Sequence, residues 1–461
     1  MGELPELNAS AHQLIRIPAE VDVAVTPRVL ALLDTPPMQR LRHISQLGVV
    51  SYVYPGAVHS RFEHSLGVYR LACLALQHLL ANERQFANQL TVHEQKTLLL
   101  AALLHDIGHW PFCHAIEDLR LAEFPTHETV ARSLICGSPL AALIESQWEV
   151  APEEVAQLIA STREAGSANS VLRSLLSGPV DIDKMDYLQR DSLHAGVPYG
   201  RNFDVARLIS SLCLGESGRS IAVTEKGKTA AEMMVFARYV MFSEVYWQHT
   251  VRSATAMLQR LVYTLRESFA TSDWLTQTEA DFANQLMSVA SQQPQLQSLA
   301  DGLWGRSRRL YKRLAQFSLS DNPEVFAAVA RRPYHELVQL SEMLASRLSH
   351  NLSRPLQPAD IIIDAPPVKL EVQFKIDVRM SSKRGDDRSF VSLSDISPVV
   401  RALATEQFDN FVKRVRIFVA PERVADLQFT EAEVMHLLLT LCADALPTAA
   451  ATHNADPTIV D

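Results

Sequence analysis

The sequence predicts a mainly α-helical protein with a small mixed α/β region towards its C-terminus. Three observations carry this. Apolar residues recur near helical spacing through residues 61–81, and the apolar segment 98–104 follows a capping pattern at Thr91 and Glu94. Strand-like alternation is concentrated late in the chain.

Taken in order, residues 27–46 are helical in pattern and interrupted at Pro36-Pro37, because a proline ring obstructs the preceding turn. Residues 61–81 place Phe62, Leu66, Val68, Leu71, Leu74 and Leu79 close to one helix face, with His64 on the first turn or two. Thr91 with Glu94 three residues later is a capping-box pattern, and the helix it opens runs through residue 104. His105-Asp106 falls at its end, where Gly108 permits a turn that exposes both side chains. Pro111 opens a helix carrying His114 and Glu117, three apart and so on one face; His127 follows Pro125. Residues 220–223 read as a short strand and 230–268 as one long helix. Strands are expected at 360–364, at 369–378 with its period-two alternation, and at 414–419. Residues 381–388 are expected at a solvated hairpin tip and 446–461 in a disordered tail.

Composition narrows the function classes. A chain of 461 residues with 47% hydrophobic content can bury a large core. Its 43 basic and 52 acidic residues give a net charge of −9, so no general nucleic-acid-binding surface is expected and any polyanion site must be local. Cys73, Cys113, Cys136, Cys213 and Cys442 are scattered without C-x-x-C spacing, which reads as reduced, buried thiols. The N-terminus lacks a basic segment followed by an apolar one, and no apolar run approaches the roughly 20 residues that span a bilayer. A cytoplasmic protein with no membrane partner is the expectation.

The chemistry is concentrated in three stretches: 59–67 with His64, 103–114 with His105, Asp106, His109 and His114, and 181–191 with Asp183. In order, His64, His105-Asp106 and Asp183 form an H…HD…D pattern that resembles the HD-domain metal phosphohydrolases. Two imidazoles and two carboxylates suit an octahedral divalent ion (Mn, Fe, Ni or Mg; Zn is also accommodated) and leave positions open for water and a phosphate oxygen. Such an ion polarises phosphorus and acidifies water.

Residues 34–48, 54–57 and 61–67 narrow the resemblance to the deoxynucleoside triphosphate triphosphohydrolases, and to their bacterial branch, over about 14–260 with a further likeness at 414–422. It implies an HD-domain helical phosphohydrolase core that cleaves a dNTP at the α-phosphorus, releasing deoxynucleoside and inorganic triphosphate. By the same resemblance, His64, His105, Asp106 and Asp183 hold one divalent metal ion. His109 contacts the α-phosphate, and His114 is the general acid at the departing 5′ oxygen, a task suited to imidazole. Glu117 replaces an aspartate that orients the catalytic histidines, and His127 matches another active-site histidine. Arg61, Lys184 and Arg238 match phosphate contacts, with Tyr187 as a hydroxyl donor. Gln46 and Asp191 match residues on the 3′ hydroxyl, and Tyr246 an aromatic beside the sugar, which implies a deoxyribose preference.

The organisation expected is an N-terminal segment with a candidate activator site (1–50), the HD core (51–215), a helical extension completing the substrate pocket (216–350), a mixed α/β region (351–445) and the tail. Asp34, Gln39 and Arg42 match guanine-recognising residues of the family's nucleotide activator site; their plain reading is a helix cap and a structural ion pair. Activation would come with a homo-oligomer, a dimer or tetramer. Two other classes stay open: an HD phosphohydrolase acting on a monophosphate, dinucleoside polyphosphate or signalling nucleotide, and a non-catalytic nucleotide or nucleic-acid binder. A single-strand nuclease would use the basic stretch 306–313, which otherwise reads as a solvated helix face.

Overall fold

The computed structural model describes residues 4–8, 13–19, 21–160, 170–269, 272–367, 375–381, 389–405 and 412–445. The chain is mainly helical. Helix α1 (Pro27–Leu33) starts with Pro27 at its first position and with the Thr26 hydroxyl accepting from the Val29 amide. It ends three residues before Pro36, clear of the pre-proline restriction, and the Thr35 hydroxyl donates to the Leu32 carbonyl. Helix α2 (Arg61–Asn82) is capped by Ser60. Helix α3 (Val92–Leu104) opens with the expected reciprocal capping box of Thr91 and Glu94. Residues 98–104 are buried on every side, so α3 is a central helix rather than a surface one. Packed against α2, it delivers His105-Asp106 into the interior.

Helix α4 (Cys113–Glu117) begins two residues later than Pro111 suggests. Phe112 precedes it in a left-handed conformation (φ 55°), its ring packed against Phe282 and Trp304, so tertiary contacts choose the start. Helix α5 (His127–Ile135) follows, and α6 (Ile182–Ala195), capped by Asp181, packs on α2. The expected helix over 230–268 is two helices. Helix α7 (Lys228–Met241) passes into a wider turn, Phe242–Tyr246, and the chain redirects at Trp247-Gln248 into α8 (His249–Thr264). No glycine or proline marks this break. It is held by the Tyr246 hydroxyl on Asp191 (2.6 Å) and by the Arg252 guanidinium 4.3 Å above the Trp247 ring. Helix α9 (Glu279–Ala290) covers the second of the cores, where Trp110, Phe124, Trp274 and Phe282 meet α8.

Among the described residues nine strands form three sheets. A hairpin pairs β1 (Gln13–Ile17) with β2 (Val21–Val25). The expected strand at 220–223 is β4 (Ile221–Thr224), between β3 (Leu212–Leu214) and β7 (Asp377–Arg379), with β8 (Phe390–Ser392) outermost. The third sheet has the order β5 (Lys312–Phe317), β9 (Val415–Val419), β6 (Ile361–Asp364), all antiparallel. Two of its strands are the expected ones; β5 is not. The stretch 306–313 is not a helix face: 306–309 are exposed and irregular, Leu310 and Tyr311 are buried, and 312–313 open β5, which finds its partner about a hundred residues away. Of the alternating 369–378 segment, only its end is described, and it pairs parallel to β4 instead of joining the third sheet. The expected hairpin tip, from residue 382 on, and the tail lie outside the described residues. All five cysteines are free, Cys136 exposed and Cys73 half-buried. Among the described residues no helix is long and apolar enough to cross a membrane.

Candidate metal centre and adjoining cavity

Three helices converge on one point. His64 comes from the first turn of α2, His105 and Asp106 from the end of α3, and Asp183 from the first turn of α6. His64 Nε2 lies 3.0 Å from Asp183 Oδ1 and 4.0 Å from Asp106 Oδ2. His105 Nε2 lies 3.2 Å from His64 Nε2, 3.5 Å from Asp106 Oδ1 and 3.8 Å from Asp183 Oδ1.

The other ring nitrogens are committed. His64 Nδ1 donates to Asp186 Oδ2 (2.8 Å) and His105 Nδ1 to the Ala102 carbonyl (2.9 Å), which leaves both Nε2 lone pairs turned to the shared centre. Two imidazole nitrogens and two carboxylates so gathered fit a divalent cation; the ligand atoms of His64, His105 and Asp106 all lie within 4.8 Å of one another. The electrostatics agree. Burial works against a charged His64, yet Asp183, Asp186 and Asp106 raise its imidazole to about 10, which marks a place that attracts positive charge. Burial likewise opposes an ionised Asp106, but His109, Arg61 and the two ligand histidines hold its carboxyl well below the ordinary range.

Beside this cluster runs a row of imidazoles. His109 Nδ1 is 3.1 Å from Asp106 Oδ1, and its Nε2 is 3.3 Å from His114 Nε2. His127 stacks on His109 with ring centres 4.2 Å apart. Gly108 makes this approach possible by lacking a side chain, since a Cβ there would sit 2.1 Å from the His127 carbonyl oxygen; no left-handed turn is involved. Glu117 links the row: it accepts from the His127 amide (2.7 Å) and Nδ1 (2.9 Å), and its Oε2 is 3.6 Å from His114 Nδ1. Burial raises the Glu117 pKa, but hydrogen bonds to both histidines hold it well below the usual range. Burial and the Arg61 charge push His109 far down, so it is neutral. The His114 side chain is 60% exposed and faces a cavity.

That cavity, about 390 Å³, is lined by six of the seven expected substrate contacts: Gln46, Arg61, Tyr187, Asp191, Arg238 and Tyr246. Arg61 joins it to the metal cluster through Asp106 (2.9 Å). Tyr246 and His59 (2.9 Å) both hold Asp191. Gln46 Oε1 and Arg61 Nε are buried with no hydrogen-bond partner among the described residues, as polar atoms meant for a ligand would be. Lys184 is placed elsewhere, its ammonium on Asp181 (2.5 Å) and the Gly178 carbonyl (3.1 Å).

Residues 61–191 match the HD domain, and residues 203–441, more than half of the chain, match the HD associated region. The chain belongs to the HD-domain family. It is 33% identical over 265 residues to the uncharacterized protein YwfO of Bacillus subtilis, covering 57% of this chain and 58% of that one. It is 30% identical over 279 residues to the deoxynucleoside triphosphate triphosphohydrolase SAMHD1 of Homo sapiens, covering 54% and 44% respectively. The chain thus spans about half the length of the curated relatives it matches. Among solved structures, the fold is shared with a hypothetical protein from Aquifex aeolicus (TM-score 0.66, 24% identity, 93% of this chain and 100% of that). A phosphohydrolase from Bacteroides thetaiotaomicron aligns with the same TM-score of 0.66 at 21% identity, over 88% and 99%.

This HD-domain protein also gathers residues to which the sequence assigned no role. Asp186 sits three residues after Asp183 and Arg190 seven after it, on the same face of α6, so helical spacing alone could have found them. Glu279, at the start of α9, accepts from the amide (3.1 Å) and hydroxyl (2.7 Å) of Ser45 and lines the cavity; 234 residues separate the two, and no local pattern announces the contact. The candidate activator residues lie together near the end of α1. Asp34 is exposed, Gln39 donates to the Leu33 carbonyl (2.8 Å), and Arg42 donates to Gln39 (2.9 Å) with its guanidinium 3.8 Å over Phe62.

Proposed function

We propose that this protein hydrolyses dNTPs at the α-phosphorus, giving deoxynucleoside and inorganic triphosphate. One observation carries the reading: the cavity that holds the Tyr246–Asp191 pair and the Gln46 side-chain carbonyl, unpartnered among the described residues, is lined by Arg61, which hydrogen-bonds the candidate ligand Asp106. The likeness to the SAMHD1 enzymes supports the choice of substrate.

His64, His105, Asp106 and Asp183 would hold a divalent ion, which would supply Lewis acidity and lower the pKa of a water towards neutrality. The chain's residues do the rest. Arg61 and Arg238 clamp phosphate oxygens, and Tyr187 donates to them. Neutral His109 contacts the α-phosphate. His114, open to the cavity, gives a proton to the departing 5′ oxygen, with Glu117 fixing its ring as it fixes His127. Gln46 and Asp191 bind the 3′ hydroxyl, and Tyr246, tethered to Asp191, closes on the sugar face where a 2′ hydroxyl would stand. In the same reading Asp34, Gln39 and Arg42 serve a nucleotide activator between subunits of a dimer or tetramer.

A second reading, hydrolysis of a different nucleotide by the same metal cluster, is favoured by Lys184: turned to Asp181, it leaves the cavity one cation fewer for a triphosphate. Incubating the metal-loaded protein with the four dNTPs, singly and mixed, and separating products by ion exchange decides between them. Deoxynucleoside with triphosphate is the expected outcome, and turnover confined to mixtures identifies an activator. No turnover of any dNTP despite bound metal moves the assignment to the second reading.

A further inference from the structure

We infer that Asp186 and Arg190 are positioning residues for the metal centre, holding His64 so that its Nε2 stays aimed at the ion; this rests on the metal-ligand reading above. Both are buried behind the cluster and touch none of the cavity. Asp186 spends one oxygen on His64 Nδ1 (2.8 Å) and receives both Arg190 Nε and Nη2 at 2.8 Å. Arg190 Nη1 reaches back across the helix pair to Glu63 Oε1 (2.6 Å), the residue just before His64, and His194 Nε2 meets the same oxygen at 2.9 Å. Arg190 therefore ties α6 to α2 at Glu63, and Asp186 ties them at His64 itself. These ties set the distance between His64, on one helix, and Asp183, on the other.

A separate observation in α2 points the same way. A Cβ on Gly67, one turn after His64, would lie 1.9 Å from Asp186 Oδ1 and 2.4 Å from Arg190 Nη2. The helix keeps a bare backbone where the pair lodges. A carboxylate on the far nitrogen of a ligating imidazole fixes its tautomer and ring plane and raises its basicity, and losing such a partner typically costs about 10–100-fold in metal affinity.

The test uses the full chain stripped of metal and titrated with Mn²⁺ alone against a competing chelator. Wild type should bind one ion and His64→Ala none; if wild type binds none, the metal reading and this inference fall together. Given wild-type binding, Asp186→Asn and Arg190→Met should each weaken Mn²⁺ by about ten-fold or more. A smaller loss in Asp186→Asn, which is nearly isosteric and decides alone if Arg190→Met does not fold, overturns the inference while leaving the ligands in place. Arg423→Met separates positioning from mere stability: it breaks the contacts of the buried Arg423 with Asp360 and Asp426, none of which lines the cavity. It should lower the thermal midpoint and leave Mn²⁺ affinity unchanged. An equal loss of affinity there would show that general destabilisation explains the effect, and would also overturn the inference.

Discussion

His114 and Asp106 lie within one short segment and separate two roles. Asp106 is buried among Arg61 and histidines, while His114 opens onto the cavity with Glu117 Oε2 3.6 Å from its Nδ1. Asp106→Ala should therefore lose the metal, measured as metal content after gel filtration. His114→Ala should keep metal and nucleotide binding and lose about 10²–10⁴ in single-turnover rate; near-native turnover would remove it from the general-acid role. At this scale the sequence was most legible where chemistry imposes spacing. His64, His105, Asp106 and Asp183 come together as the motif implied, whereas Lys184, flanked by motif residues, turns to Asp181, because a neighbouring N-cap carboxylate is closer than the cavity.

At the scale of elements, α9 begins at Glu279, whose carboxylate receives Ser45 in the loop that also carries Gln46. Burial pushes Glu279 up from 4.5 to about 7, with Ser45 offsetting only part of the shift. The folded state then binds this proton more tightly than the unfolded chain. Its contribution to stability is greatest below about pH 4.5, falls as the pH rises towards 7 and is flat above. In urea titrations, the stability difference between wild type and Glu279→Gln should decline across that window; a difference independent of pH would refute the buried, protonated carboxyl. Capped elements such as α3 were legible because Thr91 and Glu94 act locally. The break between α7 and α8 was not, since Tyr246 meets Asp191 and Trp247 packs with Val412, both distant in the chain.

At the scale of the molecule, the candidate ligands tie three helices that share one core. A metal bound only by the folded state adds stability by mass action, about 1.4 kcal/mol per tenfold rise in free ion above its dissociation constant. Thermal midpoints should climb steadily with Mn²⁺ concentration and drop on chelation; midpoints indifferent to both would argue against a metal shared by the three helices. The two larger sheets bind the C-terminal region to the body at separate points. Strand β7 joins β4 and sends Arg379 to Glu83 (2.6 and 2.9 Å), and β9 lies between β5 and β6.

The sequence by itself determined the helical class, helix α3, the strands at 360–364 and 414–419, and which residues gather in the candidate metal cluster, because capping, periodicity and ligand type act over a few residues. Only the tertiary structure decided which strands pair, where α7 gives way to α8, which cations face the cavity, that Asp186 and Arg190 stand behind the candidate metal cluster and that Glu279 lines the cavity. Each of these depends on partners brought together by packing of the whole chain, and a hydrogen bond between residues 45 and 279 leaves no trace in the sequence around either.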